Sequence, residues 1–149
     1  MGTVLISNTS LSWSTLDSLF NGTAHYRLSR EAKKSILKSH QLLNNILDSD
    51  NKIYGVNTGF GKLSNVSIGS EDLKKLQLNL VRSHACGVGK PLDLGVTRIA
   101  MVLKLMTWAK GFSGISPELS QLLLDMLNLS LIHISEPTRR YAISYAVFC

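Results

Sequence analysis

Tyr54-Gly55-Val56-Asn57-Thr58-Gly59-Phe60-Gly61 sets a tyrosine among three glycines, and Ser83-His84-Ala85-Cys86-Gly87-Val88-Gly89 follows after one helix-like stretch. Glycine inside a regular element costs about 0.5–1 kcal/mol relative to alanine, so this density marks an irregular loop. Gly55, Gly59 and Gly61 let the backbone take positive φ and let a ligand or another chain come close. A lone Tyr-Gly pair would be an ordinary surface turn. The whole octapeptide, with the second motif downstream, is a loop that can hold a phenol at a fixed place.

Outward from that loop the chain reads as helices. Ser29 is an N-cap candidate with Glu31 in the first turn, where the helix dipole favours an acid. Ala32, Ile36, Leu37, Leu43, Ile46 and Leu47 then recur at helical spacing over about five turns, and Asp48-Ser49-Asp50-Asn51 ends them. After the loop, Glu71 to Ser83 predicts a helix with Leu73, Leu76 and Leu80 on one stripe. Another runs from Asp93 to about Lys110, with Val96, Ile99, Ala100, Leu103 and Met106 inward and Gly111 as terminator. Ser116-Pro117-Glu118 is a helix start with cap and first-turn proline, and Leu119, Leu122, Leu123 and Met126 continue it. Before all of these, Val4-Leu5-Ile6-Ser7 reads as a short strand. A helix near Ser14 to Phe20 follows, in which Trp13, Leu16 and Phe20 can share a face. The fold class is mainly α.

Composition narrows the possible functions. The chain has 149 residues, 44% hydrophobic and 17% charged, which is globular rather than disordered. Its net charge of +6 comes from scattered residues such as Arg27, Arg30, Lys33, Lys34 and Lys38, a solvated helix face and not a nucleic-acid stripe. No apolar run approaches the ~20 residues of a membrane helix. Cys86 and Cys149 form neither a metal-binding spacing nor a disulfide framework. These readings give no metal, no nucleic acid, no membrane partner and a cytoplasmic location. His25 is read as a loop residue and His40 as a helix-face residue, neither with a role.

The last segment reads differently. Leu129-Ser130-Leu131-Ile132-His133-Ile134-Ser135-Glu136-Pro137-Thr138-Arg139 resembles the translation of a transposase-type sequencing adapter. Ile143-Ser144-Tyr145-Ala146-Val147-Phe148-Cys149 matches the flow-cell end of the same adapter in the same frame. Arg140, Tyr141 and Ala142 fill the gap that one leftover base and an octamer index would leave. Such debris is set aside before fold reasoning. The expected division is therefore residues 1–128 as an incomplete part of a domain and 129–149 as a non-native tail without a fold.

The two glycine-rich motifs, with Lys110-Gly111-Phe112-Ser113-Gly114, resemble the histidine and aromatic amino acid ammonia-lyase family. The resemblance covers most of residues 1–128 and is strongest from Ile53 to Gly114. Lys104 and Met106 depart from the Arg and Asn common in that helix. Family members are several times longer, so the resemblance implies an inactive piece of a larger subunit. It implies a helical fold with a short N-terminal strand and a glycine-rich active-site loop, an amino acid substrate and a cytoplasmic homotetramer.

Elimination of ammonia from an amino acid needs an electrophile to activate a poor leaving group and a base for a weakly acidic β-proton. In the family the electrophile is 4-methylidene-imidazol-5-one, made by the protein from an Ala-Ser-Gly triad. No such triad occurs among these residues. By resemblance Tyr54 is the base, carried by Gly55, Asn57, Thr58, Gly59, Phe60 and Gly61, and His84 with Ser83 reads the side chain. Tyrosine and phenylalanine lyases carry His-Leu or Phe-Leu where this chain has Ser83-His84, so the implied reaction is L-histidine to urocanate and ammonia. A tyrosine or phenylalanine ammonia-lyase or an aminomutase is the alternative inside the family. A helical interaction module without chemistry is the alternative outside it.

Re-sequencing the locus past codon 128 should replace the adapter-like tail and reveal an Ala-Ser-Gly triad shortly downstream. A stop codon there, with no triad, would favour the interaction module.

Overall fold

A computed structural model describes residues 2–49, 52–59, 61–63, 66, 68–85 and 90–129. Phe60, Cys86, Gly87, Gly89 and the tail from Ser130 onward lie outside the described residues. The order is β1 (Gly2–Ile6), α1 (Trp13–Asn21), β2 (Ala24–Leu28), α2 (Arg30–Leu47), a 3-10 turn at Gly61–Leu63, α3 (Ser70–His84), α4 (Leu94–Ala109) and α5 (Pro117–Asn128). The architecture is mainly α.

Side chains close the starts of α2 and α5, as the sequence implied. Ser29 Oγ accepts from Ala32 N at 3.0 Å, and Ser116 Oγ accepts from Leu119 N at 3.2 Å. Asp93, read as the first helical residue, is instead the cap of α4, its carboxylate accepting from Gly95 N at 2.7 Å. Each such bond pairs an N–H that the helix itself leaves open. Glu118, in the first turn of α5, has its carboxyl held below the usual range by the backbone N–H and the Ser116 hydroxyl there.

β2 corrects the reading of His25 as a loop residue, placing it in a strand. The strand lies parallel to β1, from Gly2 opposite Ala24 to Ile6 opposite Leu28. Only two of its residues, Tyr26 and Leu28, turn inward, too few for a period-two signal. A distant residue completes it. Asn128 Oδ1 accepts from Tyr26 N at 2.8 Å and its Nδ2 donates to Tyr26 O at 3.0 Å. The amide thus supplies the donor and acceptor that a neighbouring strand would offer.

The core gathers around α4, which packs against α1, α2, α5 and β1. Val102 and Leu105 are fully buried there with Ile6, Leu19 and Ile36, and Trp108 closes the cluster. The inward face of α4 is Met101, Val102, Leu105, Trp108 and Ala109, whereas Val96 and Leu103 are about half exposed. Of the expected face Val96, Ile99, Ala100, Leu103 and Met106, Ile99 and Met106 are partly buried against the core and the other three are exposed. This helix is apolar nearly all round, so its sequence offers two stripes. Packing against α1, α2, α5 and β1 decides between them, and at the start of the helix the Phe20 ring lies so close over Gly95 that a Cβ there would strike it. In α1 the buried residue is Leu19, while Trp13 is 87% exposed. Arg98 ties the two helices, its Nη1 donating to Phe20 O at 3.0 Å at the end of α1.

Tyr26 is 2% exposed and its hydroxyl finds no hydrogen-bond partner among the described residues. Burial raises its pKa above the usual 10.0, with the nearby Arg98 charge opposing. Below pH 10 the phenol is neutral in both states and adds no pH dependence. Above pH 10 the unfolded chain ionises first, so stability falls with rising pH by up to about 1.4 kcal/mol per unit. An unpaired buried hydroxyl costs about 1–3 kcal/mol. Tyr26→Phe in the product of the complete gene should therefore leave stability at pH 7 equal or higher in urea unfolding. The same variant should flatten the decline above pH 10.

Candidate active site

Tyr54 lies on the loop that leaves α2, with its side chain 64% exposed. Around it the backbone is closed tightly. Val56 N and Asn57 N both donate to Ile53 O, at 3.1 and 3.2 Å. Gly55 follows Tyr54 at φ 73°, where a side chain would be strained. Further on, Gly59 N donates to Val66 O at 3.2 Å and Ile68 N donates to Asn57 O at 3.0 Å, which folds the loop back on itself before α3.

Two side chains complete this wiring. Asn57 Oδ1 accepts from Ile53 N at 2.6 Å. Thr58, 1% exposed, accepts from Gly55 N at 3.2 Å and aims its own proton at Gly59 O, 3.1 Å away, with Ile53 O at 3.4 Å. The sequence marked both residues as part of the loop without showing what they hold. The available signal was chemical, since Asn and Thr side chains readily substitute for backbone partners in turns.

Ser83 and His84 form the last turn of α3 and are exposed. Ser83 Oγ donates to Leu80 O at 2.9 Å. His84 Nδ1 lies 2.9 Å from Leu80 O and 2.9 Å from Ser83 Oγ. A carbonyl only accepts, so a proton on Nδ1 pairs with Leu80 O, whereas a bare Nδ1 accepts from Ser83 Oγ. α3 stands apart from the main core; among its described side chains only Val81 is buried, and Leu73, Leu76 and Leu80 are partly covered.

The turn Gly111-Phe112-Ser113-Gly114 sits on α2. His40 Nδ1 meets Gly114 O at 3.0 Å, which gives that histidine a tie across the fold that its sequence did not announce. Two open grooves lie elsewhere. One, of about 590 Å³, runs between Lys33, Ile36 and Leu37 of α2 and Pro117, Gln121 and Leu122 of α5. The other, of about 690 Å³, follows β2 past His25 and Arg27 to Asn128. Neither is lined by the Tyr54 loop or by Ser83 and His84. Among the described residues no cluster of His, Cys, Asp or Glu could hold a metal ion, and no helix is long and apolar enough to cross a membrane.

With this geometry in place, comparison with known proteins settles the class. The family model for aromatic amino acid lyases matches residues 11–134, and the chain belongs to that family. Histidine ammonia-lyase of Treponema denticola is 40% identical over 129 residues, covering 87% of this chain and 25% of that protein. The solved histidine ammonia-lyase of Trypanosoma cruzi matches with a TM-score of 0.75 at 33% identity, over 85% of this chain and 24% of its own. A tyrosine aminomutase from Streptomyces globisporus gives 0.78 at 28% identity, over 86% and 24%. The chain spans about a quarter of the length of these relatives.

Proposed function

We propose that this chain is part of an ammonia-lyase that converts L-histidine to urocanate and ammonia, with Tyr54 as the base that removes the β-proton. The observation that carries the reading is the presentation of Tyr54: an exposed phenol on a turn whose backbone is pinned on both sides. The likeness to histidine ammonia-lyases supports the substrate class. Ser83 and His84 are the residues that read the imidazole. The His84 imidazole can accept from an imidazole N–H of the substrate or donate to its ring nitrogen. A phenyl side chain has no such donor.

The family's prosthetic group supplies an electrophile that activates the amine as a leaving group. The 149 residues contain no Ala-Ser-Gly from which to make it. The group does not fit on this chain, and the roles assigned here are confined to proton removal and side-chain recognition. A homotetramer in the cytoplasm belongs to the same reading. The partly covered leucines of α3 are the surface that neighbouring helices would complete.

The likeness to a tyrosine aminomutase favours a second reading, an aminomutase or an aryl-specific lyase on the same fold. Turnover of histidine, tyrosine and phenylalanine by the product of the complete gene separates them. Histidine should be deaminated and tyrosine should not; rapid tyrosine turnover without urocanate would overturn the substrate assignment. Tyr54→Phe should lower kcat by roughly 10²–10⁴-fold, the usual contribution of a general base. Undiminished turnover would remove Tyr54 from that role.

A further inference from the structure

We propose that the Thr58 hydroxyl is the positioning group for the Tyr54 phenol, acting through the peptide plane that joins Tyr54 to Gly55. The proposal rests on the reading of Tyr54 as the base. The amide N–H of Gly55 lies in the plane that begins at the carbonyl of Tyr54. Fixing that N–H fixes ψ of Tyr54 and φ of Gly55 together. Gly55 has φ 73°, a region glycine leaves readily for others, so it does not hold itself there. Its N–H is held by Thr58 Oγ1 at 3.2 Å.

Thr58 is itself unable to drift. It is 1% exposed, and its hydroxyl hydrogen is directed at Gly59 O, 3.1 Å away. On the other side of Tyr54, Asn57 Oδ1 holds the N–H of Ile53 at 2.6 Å. The tyrosine is thus bracketed by two side-chain acceptors, one before it in the backbone and one after. Thr58 is the buried one of the pair. The backbone on either side of the 64% exposed Tyr54 is therefore held by side chains, and that backbone sets where its Cα–Cβ bond points. Proton abstraction depends on such placement, where an error of about 1 Å can cost roughly 10²-fold in rate.

The test compares Thr58→Val, which keeps the shape and removes the hydroxyl, with Thr58→Ser, which keeps the hydroxyl, in the product of the complete gene. Thr58→Val should lower kcat about 10–100-fold with KM within threefold, and Thr58→Ser should stay within threefold of the parent in both. In a Tyr54→Phe background, Thr58→Val should change kcat by less than threefold, because the group it positions is gone. If Thr58→Val does not fold, Thr58→Ala replaces it with the same expectation. Equal activity of the valine and serine variants, or a full additional loss in the Tyr54→Phe background, would overturn the proposal. A Tyr54→Phe enzyme as fast as the parent would instead overturn the base assignment, a separate failure.

Discussion

The loop around Tyr54 obeys one constraint before any other: backbone polar groups removed from water must be paired. A helix or strand meets that requirement automatically, whereas a glycine-rich loop cannot. Here Ile53 O takes two N–H groups, Asn57 Oδ1 takes a third, and Thr58 Oγ1 takes a fourth. The result is a loop with a rigid interior and an exposed tyrosine. That combination separates this segment from the surface turn that its Tyr-Gly pair alone would describe. The frame behind it is conventional, with α4 at the centre and apolar faces of α1, α2, α5 and β1 closed around it. Burying a leucine such as Leu105 contributes about 1.5–3 kcal/mol, and several of them make a stable platform.

Much of this frame could be read from the sequence, for identifiable reasons. Ser29 and Ser116 are caps because a hydroxyl satisfies N–H groups near in sequence, so the signal and the bond occupy the same few residues. Gly111, at φ 77°, ends α4 for an equally local reason. What escaped depends on contacts between distant residues. β2 exists because β1 lies beside it and Asn128, 102 residues away from Tyr26, completes its hydrogen bonding. The inward face of α4 is set by the elements packed around it, α1, α2, α5 and β1, and no periodicity within α4 encodes that choice.

The candidate site shows the same division. Tyr54, Ser83 and His84 stand out because glycines and unusual neighbours surround them. The hydrogen bonds that orient them were hidden. Thr58 looks like any threonine until its hydroxyl is seen between Gly55 and Gly59. His40 is an unremarked helix residue until its ring reaches Gly114 across the fold. Sequence reading identifies groups able to do chemistry, and geometry identifies the groups that aim them.

The last turn of α3 gathers two polar side chains on one carbonyl. An exposed histidine could present either ring nitrogen, and a recognition group with two tautomers of equal weight would discriminate poorly. Leu80 O pairs with a proton on Nδ1, while Ser83 Oγ, equally close to Nδ1, can donate to a bare nitrogen there, so both neighbours bear on which tautomer the ring takes. Ser83 Oγ donates to the same carbonyl, so two adjacent polar side chains share one anchor. Replacing Ser83 with a residue that cannot donate would leave Leu80 O to the His84 ring and favour a proton on Nδ1. The helix carbonyl and the serine beside it thus act on the His84 ring as directly as its own chemistry does.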